Sequence, residues 1–307
     1  MTTTLAPAPP VGAVPPRRRS SRARRRQAVT AWVFLLPAVV FFIAMFFVPI
    51  FNQLVAAAYG GTDGAIFVGR QNFTRAFGDP EVIHSFLVTV VYAAGCLIIG
   101  SVLGLAVAVI LNQAIPGRTL FRSVLLIPYL TSVSIIGLLW RNILDPQVGI
   151  LNRVLEQLRL PGQTWLSTAP LATIIGITIW SSVGYTMVLF LAGLQGIPGV
   201  YYEAAQIDGA GPWRRFFSIT LPLLAPTTLF VSIIGVIGSL QQFALPYIVT
   251  GGGPGNATSL YAHRVFLVAF TDNDFGYASA LSVLLLIVIL ILSIVQLRIG
   301  DRTHDGG

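Results

Sequence analysis

Pro198-Gly-Val-Tyr-Tyr-Glu203-Ala-Ala-Gln-Ile-Asp208-Gly-Ala-Gly-Pro212-Trp-Arg-Arg-Phe-Phe-Ser-Ile219-Thr-Leu-Pro222 separates two of the longest uncharged stretches of the chain. A plain connecting loop needs nothing so structured. Pro198 starts a helix, Glu203 and the two alanines continue it, and Gly209 stops it in a left-handed cap, after which Pro212 starts a second short helix. A helix this short is unstable alone in water, so it has to pack on something. Ala204 and Ala205 give it a low-profile face that another protein's groove could approach closely.

Outward from this loop, residues without Arg, Asp or Glu run from Leu160 to Tyr202 on one side and from Phe216 to His263 on the other. Four more such stretches run Gln27–Thr62, His84–Gly117, Ser123–Trp140 and Phe275–Leu297. A membrane-crossing helix needs ~20 apolar residues, and a charge at its centre costs roughly 2.5 to 3.5 kcal/mol, so these stretches predict six spans. We place them at 31–56, 86–111, 121–142, 171–195, 224–249 and 277–297. Composition agrees, with 55% hydrophobic against 10% charged residues in 307 and a mean hydropathy of +0.79, where soluble domains carry roughly 25% charged residues. The fold class is all-α and polytopic, and a soluble enzyme is excluded.

Six spans put both termini on one side, and arginine decides which. With the termini inside, Arg17, Arg18, Arg19, Arg22, Arg24, Arg25, Arg26, Arg118, Arg122, Arg214, Arg215, Arg298 and Arg302 are cytoplasmic, 13 of 19. Arg70, Arg75, Arg141, Arg153, Arg159 and Arg264 fall outside, with seven of the eleven acids. The positive-inside rule then places both termini in the cytoplasm. Residues 1–28 read as a disordered, juxtamembrane basic tail, 29–298 as the transmembrane domain containing the 198–222 loop, and 299–307 as a second cytoplasmic tail. A cleaved signal peptide ending near Ala56, Ala57 and Ala58 is the rival for the first 60 residues, but its apolar region would be about twice the usual 7–15 residues. Prolines 37, 49, 128, 222, 226 and 246 lie in or beside spans, where neighbouring helices have to satisfy the freed carbonyls. Gly95, Gly100 and Gly104 are spaced for close helix contact, and Trp32 and Trp140 read as interfacial anchors.

Catalytic chemistry has little to work with. The chain contains no lysine, hence no Schiff-base or P-loop lysine, and its lone Cys96 excludes an internal disulfide and a multi-cysteine metal site. His84, His263 and His304 are far apart in sequence and read as solvated loop or tail residues rather than ligands. No charged residue is expected deep in a span, which argues against a proton or sodium relay. No metal site, bound cofactor or covalent chemistry is expected of this chain.

Glu203-Ala204-Ala205, then Asp208-Gly209-Ala210, then Ile219-Thr220-Leu221-Pro222 resemble the EAA signature of the integral membrane subunits of binding-protein-dependent ABC importers. Thr250-Gly-Gly-Gly-Pro254, the segment Ala269-Phe270 to Gly276-Tyr277-Ala278-x-Ala280, and Asn152 with Trp165-Leu166 are similar to its carbohydrate-uptake, maltose-type branch. The resemblance covers roughly 29–298. It implies a type I ABC importer permease fold in which the EAA loop forms a coupling helix seated on a cytoplasmic ATPase. Tyr202, Glu203, Ala204, Ala205, Asp208, Gly209 and Ala210 would then be the coupling residues. It further implies a second homologous permease subunit, two ATPase subunits holding ATP and Mg, an extracytoplasmic solute-binding protein, and surrounding lipid, but no nucleic acid. The outer segments 57–84, 143–169 and 250–276 would meet the binding protein.

Polar side chains inside spans are costly unless they face the bundle interior or water. Trp180, Ser181, Ser182 and Tyr185 in the fourth span and Gln241, Gln242 and Tyr247 in the fifth are therefore the candidates for a solute pathway. Aromatic faces with hydroxyls and amides suit a sugar or polyol. The alternative is that the two serines bond their own helix and the glutamines join helices to each other. At the level of the whole chain, the rival to an importer subunit is a self-contained channel or secondary carrier for a small neutral solute.

Overall fold

The computed structural model describes residues 21–61 and 66–304, with the side chains of 29–61 and 66–300. It divides into two compact units, Met1–Asn52 and Gln53–Gly307. In the first, α1 (Ser21–Phe42) passes through a π-helical turn, Ile43–Phe47, into α2 (Val48–Ala56). The stretch Val29–Ala56 is long and apolar enough to cross a membrane. Helix already begins at Ser21, inside the segment 1–28 that reads as a disordered tail; residues 1–20 lie outside the described chain.

The second unit opens with a two-residue β-hairpin, β1 (Tyr59–Gly60) antiparallel to β2 (Ile66–Phe67). It continues with α3 (Gln71–Gly78) and the 33-residue α4 (Pro80–Asn112). Asp79 caps α4, accepting from the backbone N–H groups of Glu81 (3.0 Å) and Val82 (3.4 Å), with Pro80 in the first turn where its missing N–H costs nothing. Next come α5 (Arg118–Leu130), α6 (Val133–Ile143), α7 (Ile150–Gln157), α8 (Trp165–Thr168) and α9 (Pro170–Gln195). Then follow α10 (Gly199–Ile207), α11 (Pro212–Arg215), a π-turn at Phe216–Thr220, α12 (Leu221–Leu223), α13 (Ala225–Leu240), α14 (Ala244–Thr250), α15 (Tyr261–Phe270) and α16 (Phe275–His304).

Among the described residues four helical stretches are long and apolar enough to cross, Val29–Ala56, Pro80–Asn112, Pro170–Gln195 and Phe275–Gly300, and two bent pairs, each taken as one span, bring the number to six. The third expected span, 121–142, is not one helix: α5 and α6 meet at 96°. Pro128 cannot donate to Val124, and the chain turns extended at Thr131 and Ser132 before helix resumes. The fifth, 224–249, also needs correction. Its helical path enters at Pro212, bends 63° at Leu224, and unwinds over Gln241–Phe243 before α14. Pro226 sits in the first turn of α13, where proline is tolerated, so the bend falls just before it. The expected C-terminal tail from 299 is helical as far as His304.

Two of the buried apolar clusters tie the central helices together. One joins α4, α6, α9 and α14 through Tyr92, Ile136, Ile174, Ile177, Leu245 and Val249. The other joins α4, α9 and α13 at the end nearer α10 through Ala108, Leu111, Met187, Phe190, Leu224 and Val231. Glycines set the close approaches, as their spacing predicts: a Cβ on Gly95 would lie 3.0 Å from Ile175, and one on Gly104 would overlap Thr186. Gly184 of α9 lies directly against the Leu125 carbonyl of α5.

Candidate translocation cleft and coupling helix

A cleft of about 310 Å³ lies between α4, α5, α9 and α13. Its α9 wall is Thr178, Ser181, Ser182, Tyr185, Thr186 and Leu189. The first four stand at i, i+3, i+4 and i+7, one face of a helix. Ser181 and Ser182 both donate to the Thr178 carbonyl, at 2.9 and 2.8 Å, and Thr178 donates to the Ile174 carbonyl at 2.9 Å. The serines therefore do what the alternative anticipates, bonding their own helix, while also lining the cleft. Opposite them α13 contributes Val231, Ile234, Gly235, Gly238 and Ser239, with Gln242 just beyond its end. The Gln242 side-chain oxygen accepts from the Phe243 N–H at 3.1 Å, which pins the amide at the point where the helix unwinds.

Tyr92, Cys96 and Ser101 of α4 close the third side. The Tyr92 hydroxyl is 2.9 Å from that of Thr178. Tyr129 of α5 stacks flat on Tyr185, with centroids 4.4 Å apart and planes 7° apart. No carboxylate or arginine lines the cleft.

Of the seven candidates for a solute pathway, Ser181, Ser182, Tyr185 and Gln242 come together in this cleft, and Trp180, Gln241 and Tyr247 do not. Trp180 and Gln241 each sit one residue off the cleft face of their helices. Trp180 packs edge-on against Trp140 (5.3 Å, 79°), and Tyr247 stacks on Phe243 at 5.1 Å. Sequence reasoning missed Tyr92, Tyr129 and Thr178. Thr178 was recoverable from the i, i+3, i+4, i+7 series ending at Tyr185; Tyr92 and Tyr129 carry no signal without the neighbouring helices.

The loop that opened the sequence folds as its residues dictate. Helix α10 ends in a Schellman motif, with the Ala210 N–H donating to the Ala205 carbonyl (2.8 Å) and the Gly209 N–H to that of Gln206 (3.0 Å). Gly209 takes φ +72°, which glycine adopts without strain. Tyr202 turns inward, its hydroxyl 3.0 Å from that of the buried Thr220. Glu203, Ala204 and Asp208 are exposed and Ala205 is half-buried. Around them Ile207 is 88% exposed, and Trp213, stacked on Phe217 at 6.2 Å, is 77% exposed.

At the opposite end of α4 an ionic network joins four helices. Arg264 bridges Glu81 at 2.8 Å and Asp272 at 3.8 Å, while Arg75 bridges Asp274 at 2.7 Å and lies 3.9 Å over the Tyr277 ring. The Tyr277 hydroxyl donates to Asp79 at 2.9 Å. Burial alone would raise the Asp79 carboxyl, but this bond, the two capping N–H groups and the Arg264 charge together hold it below the usual aspartate value. His263 corrects the expectation of three solvated histidines: it is only 2% exposed, beside Ser259 (3.3 Å) and against Gly252. Burial and the adjacent Arg264 charge lower its pKa. The residues of the sugar-branch resemblance are structural pins. Thr250 bonds Thr258 at 2.6 Å, Asn152 holds both the carbonyl (2.9 Å) and the N–H (3.1 Å) of Gln163, and Gly276 lets α16 pass against the Tyr59 carbonyl.

Residues 100–305 match the family of binding-protein-dependent transport system inner membrane components. The chain belongs to that family. The permease is 33% identical over 280 residues to the probable ABC transporter permease protein YurN of Bacillus subtilis, a match covering 88% of this chain and 95% of that protein. It is also 33% identical over 295 residues to the trehalose/maltose transport system permease protein MalF of Thermococcus litoralis, covering 93% and 98%. Against the sn-glycerol-3-phosphate transport system permease protein UgpA of Yersinia pestis it is 32% identical over 241 residues, covering 77% and 81%. Its fold superposes with TM-score 0.82 on a solved bacterial ABC transporter involved in the import of alginate, at 20% identity, covering 92% of this chain and 98% of that one. The permease thus has the type I fold and is an inner-membrane translocation subunit of an ABC importer, the reading favoured over a self-contained channel or carrier.

Proposed function

We propose that the permease passes a neutral sugar or related polyol along the α4–α5–α9–α13 cleft and couples that movement to a separate ATPase through α10. The observation that carries this reading is the cleft itself: hydroxyls, three tyrosines and one amide, with no carboxylate or arginine. Hydroxyl-rich solutes bind through such groups, whereas a phosphorylated one would leave its charge uncompensated. Support comes from the trehalose/maltose permease among the relatives. At α10, exposed Glu203 and Ala204 with the largely exposed Ile207 and Trp213 offer a mixed polar and apolar face to an ATPase groove. Tyr202, Ala205, Asp208, Gly209 and Ala210 shape that helix and its exit.

The assembly we infer contains a second homologous permease subunit, two ATPase subunits that hold ATP and Mg, and an extracytoplasmic solute-binding protein meeting 57–84, 143–169 and 250–276. Both termini are cytoplasmic in this arrangement, 29–298 forms the transmembrane domain, and the chain itself performs no covalent step. The test is uptake by liposomes containing the permeases, the ATPase and the binding protein. Glu203→Lys reverses the charge on the exposed face, and Gly209→Pro cannot reach φ +72°. Both should reduce ATP-dependent uptake to background with the chain still inserted. Undiminished uptake in either variant refutes the coupling role.

A further inference from the structure

A second cavity, about 410 Å³, has no place in solute passage. It is a groove on the outside of the bundle, floored by buried Ala76, Val82 and Tyr261 and walled by Phe77, Phe86, Leu87, Leu284 and Val288. Tyr261 brings the only polar side chain, and its hydroxyl is already spent on the Leu281 carbonyl at 3.1 Å. Nothing in the groove can hold a polar ligand. Its depth matches one leaflet. Ile83 to Leu87 lie ~5–10 Å along α4 from its first residue, and Leu284 to Val288 ~14–20 Å along α16 from its own, against a half-thickness of ~15 Å for the hydrocarbon core.

Two features choose among apolar occupants. Helices pack closely where small residues let backbones approach, and within this chain they do so at Gly104, Gly184 and Gly193. The groove walls are instead Phe, Leu, Ile and Val, with Ala76 alone small, which suits a flexible chain better than a helix. Above the groove stands the ionic network: Arg75 and Arg264 against Asp79, Glu81, Asp272 and Asp274, two positive groups to four negative. Glu81 and Asp272 keep about half of their side chains exposed, 54% and 49%, and Arg75 keeps 55%. An acidic excess with one accessible arginine repels an anionic headgroup and complements a zwitterionic one, with ammonium toward the carboxylates and phosphate toward Arg75.

We propose that this groove binds one acyl chain of a phosphatidylethanolamine from the leaflet at the α3 side, its headgroup held by Arg75, Glu81 and Asp272. The experiment uses the assembled transporter in nanodiscs of mixed phosphatidylethanolamine and phosphatidylglycerol, each doped in turn with the same diazirine acyl chain on one headgroup or the other. Photolabelling by the ethanolamine probe should concentrate on 76–87 and 284–288. Ile83→Trp and Leu87→Trp fill the groove from exposed positions, and each should cut that labelling by about tenfold, the effect of losing roughly two methylene contacts. Labelling at exposed Ile98 and Val102 on the same helix should stay unchanged, which shows that the variants are folded. Even labelling over all lipid-facing positions, labelling insensitive to both tryptophans, or equal labelling by the glycerol probe overturns the proposal. So does an isolated permease that labels at the groove when the assembled transporter does not, because a protein would then cover it.

Discussion

Gly184 tests whether the cleft is set by a backbone contact. A methyl group at 184 would lie 2.5 Å from the Leu125 carbonyl carbon and 3.0 Å from the Leu126 Cα, and would overlap the Leu125 oxygen. Carbon atoms rest at ~3.5–4.0 Å, so Gly184→Ala has to push α5 off α9 by about 1 Å. Backbone rather than a flexible side chain has to yield, so the cost is that of overpacking, ~1–3 kcal/mol. Tyr129 is one turn along from Leu125, and the same shift parts its ring from Tyr185, forfeiting ~0.5–1.5 kcal/mol of stacking. The total, ~1.5–4.5 kcal/mol, has the opposite sign to the ordinary gain of ~0.5–1 kcal/mol for alanine over glycine in a helix. Gly176 on the same helix and Gly238 on α13 have nothing within 4 Å of a Cβ and serve as controls. Thermal unfolding of the purified permease should show Gly184→Ala well below wild type and Gly176→Ala at or above it. Cys96, the only cysteine and a cleft residue, should react faster with a membrane-impermeant maleimide once α5 has moved. A Gly184→Ala protein as stable as Gly176→Ala, with unchanged Cys96 reactivity, refutes the reasoning.

The Asp79 carboxyl is held below its ordinary value of 3.8, so the stability it contributes is present above that pH and lost as pH falls through the lower folded value. Asp79→Asn should therefore lower thermal stability near neutral pH, by about 1 kcal/mol after discounting for exposure, and the gap to wild type should close in acid; a gap that widens in acid contradicts the assignment. Tyr202→Phe leaves Thr220 with only its 3.5 Å bond to the Arg215 carbonyl. The loss of ~1 kcal/mol should slow ATP-coupled uptake about fivefold without affecting insertion, and unchanged uptake would show that the bond does not steady α10. Gln242→Leu removes the only amide in the cleft and should raise the KM for uptake about tenfold, an outcome to be separated from any change in kcat.

The spans were legible because charge avoidance is a one-dimensional signal, and α10 was legible because Pro198, Gly209 and Pro212 act on their own backbone. The 96° bend between α5 and α6 was not, although Pro128 was visible: a proline says that a helix is weakened, while the direction of the bend depends on α9 and α14 packed against it. His263 misled for the same reason. Its isolation in sequence says nothing of Gly252, eleven residues back, which folds against its ring. Among cleft residues, helical phase sorted Ser181 and Tyr185 from Trp180, and Gln242 from Gln241, more sharply than residue chemistry did. Tyr92 and Tyr129 became readable only once three helices were placed around them.

The Thr178, Ser181 and Ser182 hydroxyl hydrogens are already committed to their own helix, so Thr178 receives the Tyr92 hydroxyl while Ser181 and Ser182 keep lone pairs for the cleft. Across from them Gln242 has its oxygen occupied by the Phe243 N–H, which leaves its NH₂ to donate to Tyr92 or to a solute. The two serines thus only receive hydrogens, and the amide has only hydrogens left to offer. A passing alcohol, whose single oxygen both gives and takes a hydrogen, can satisfy both at once and exchange partners step by step, whereas an ether can only receive and an ammonium can only give.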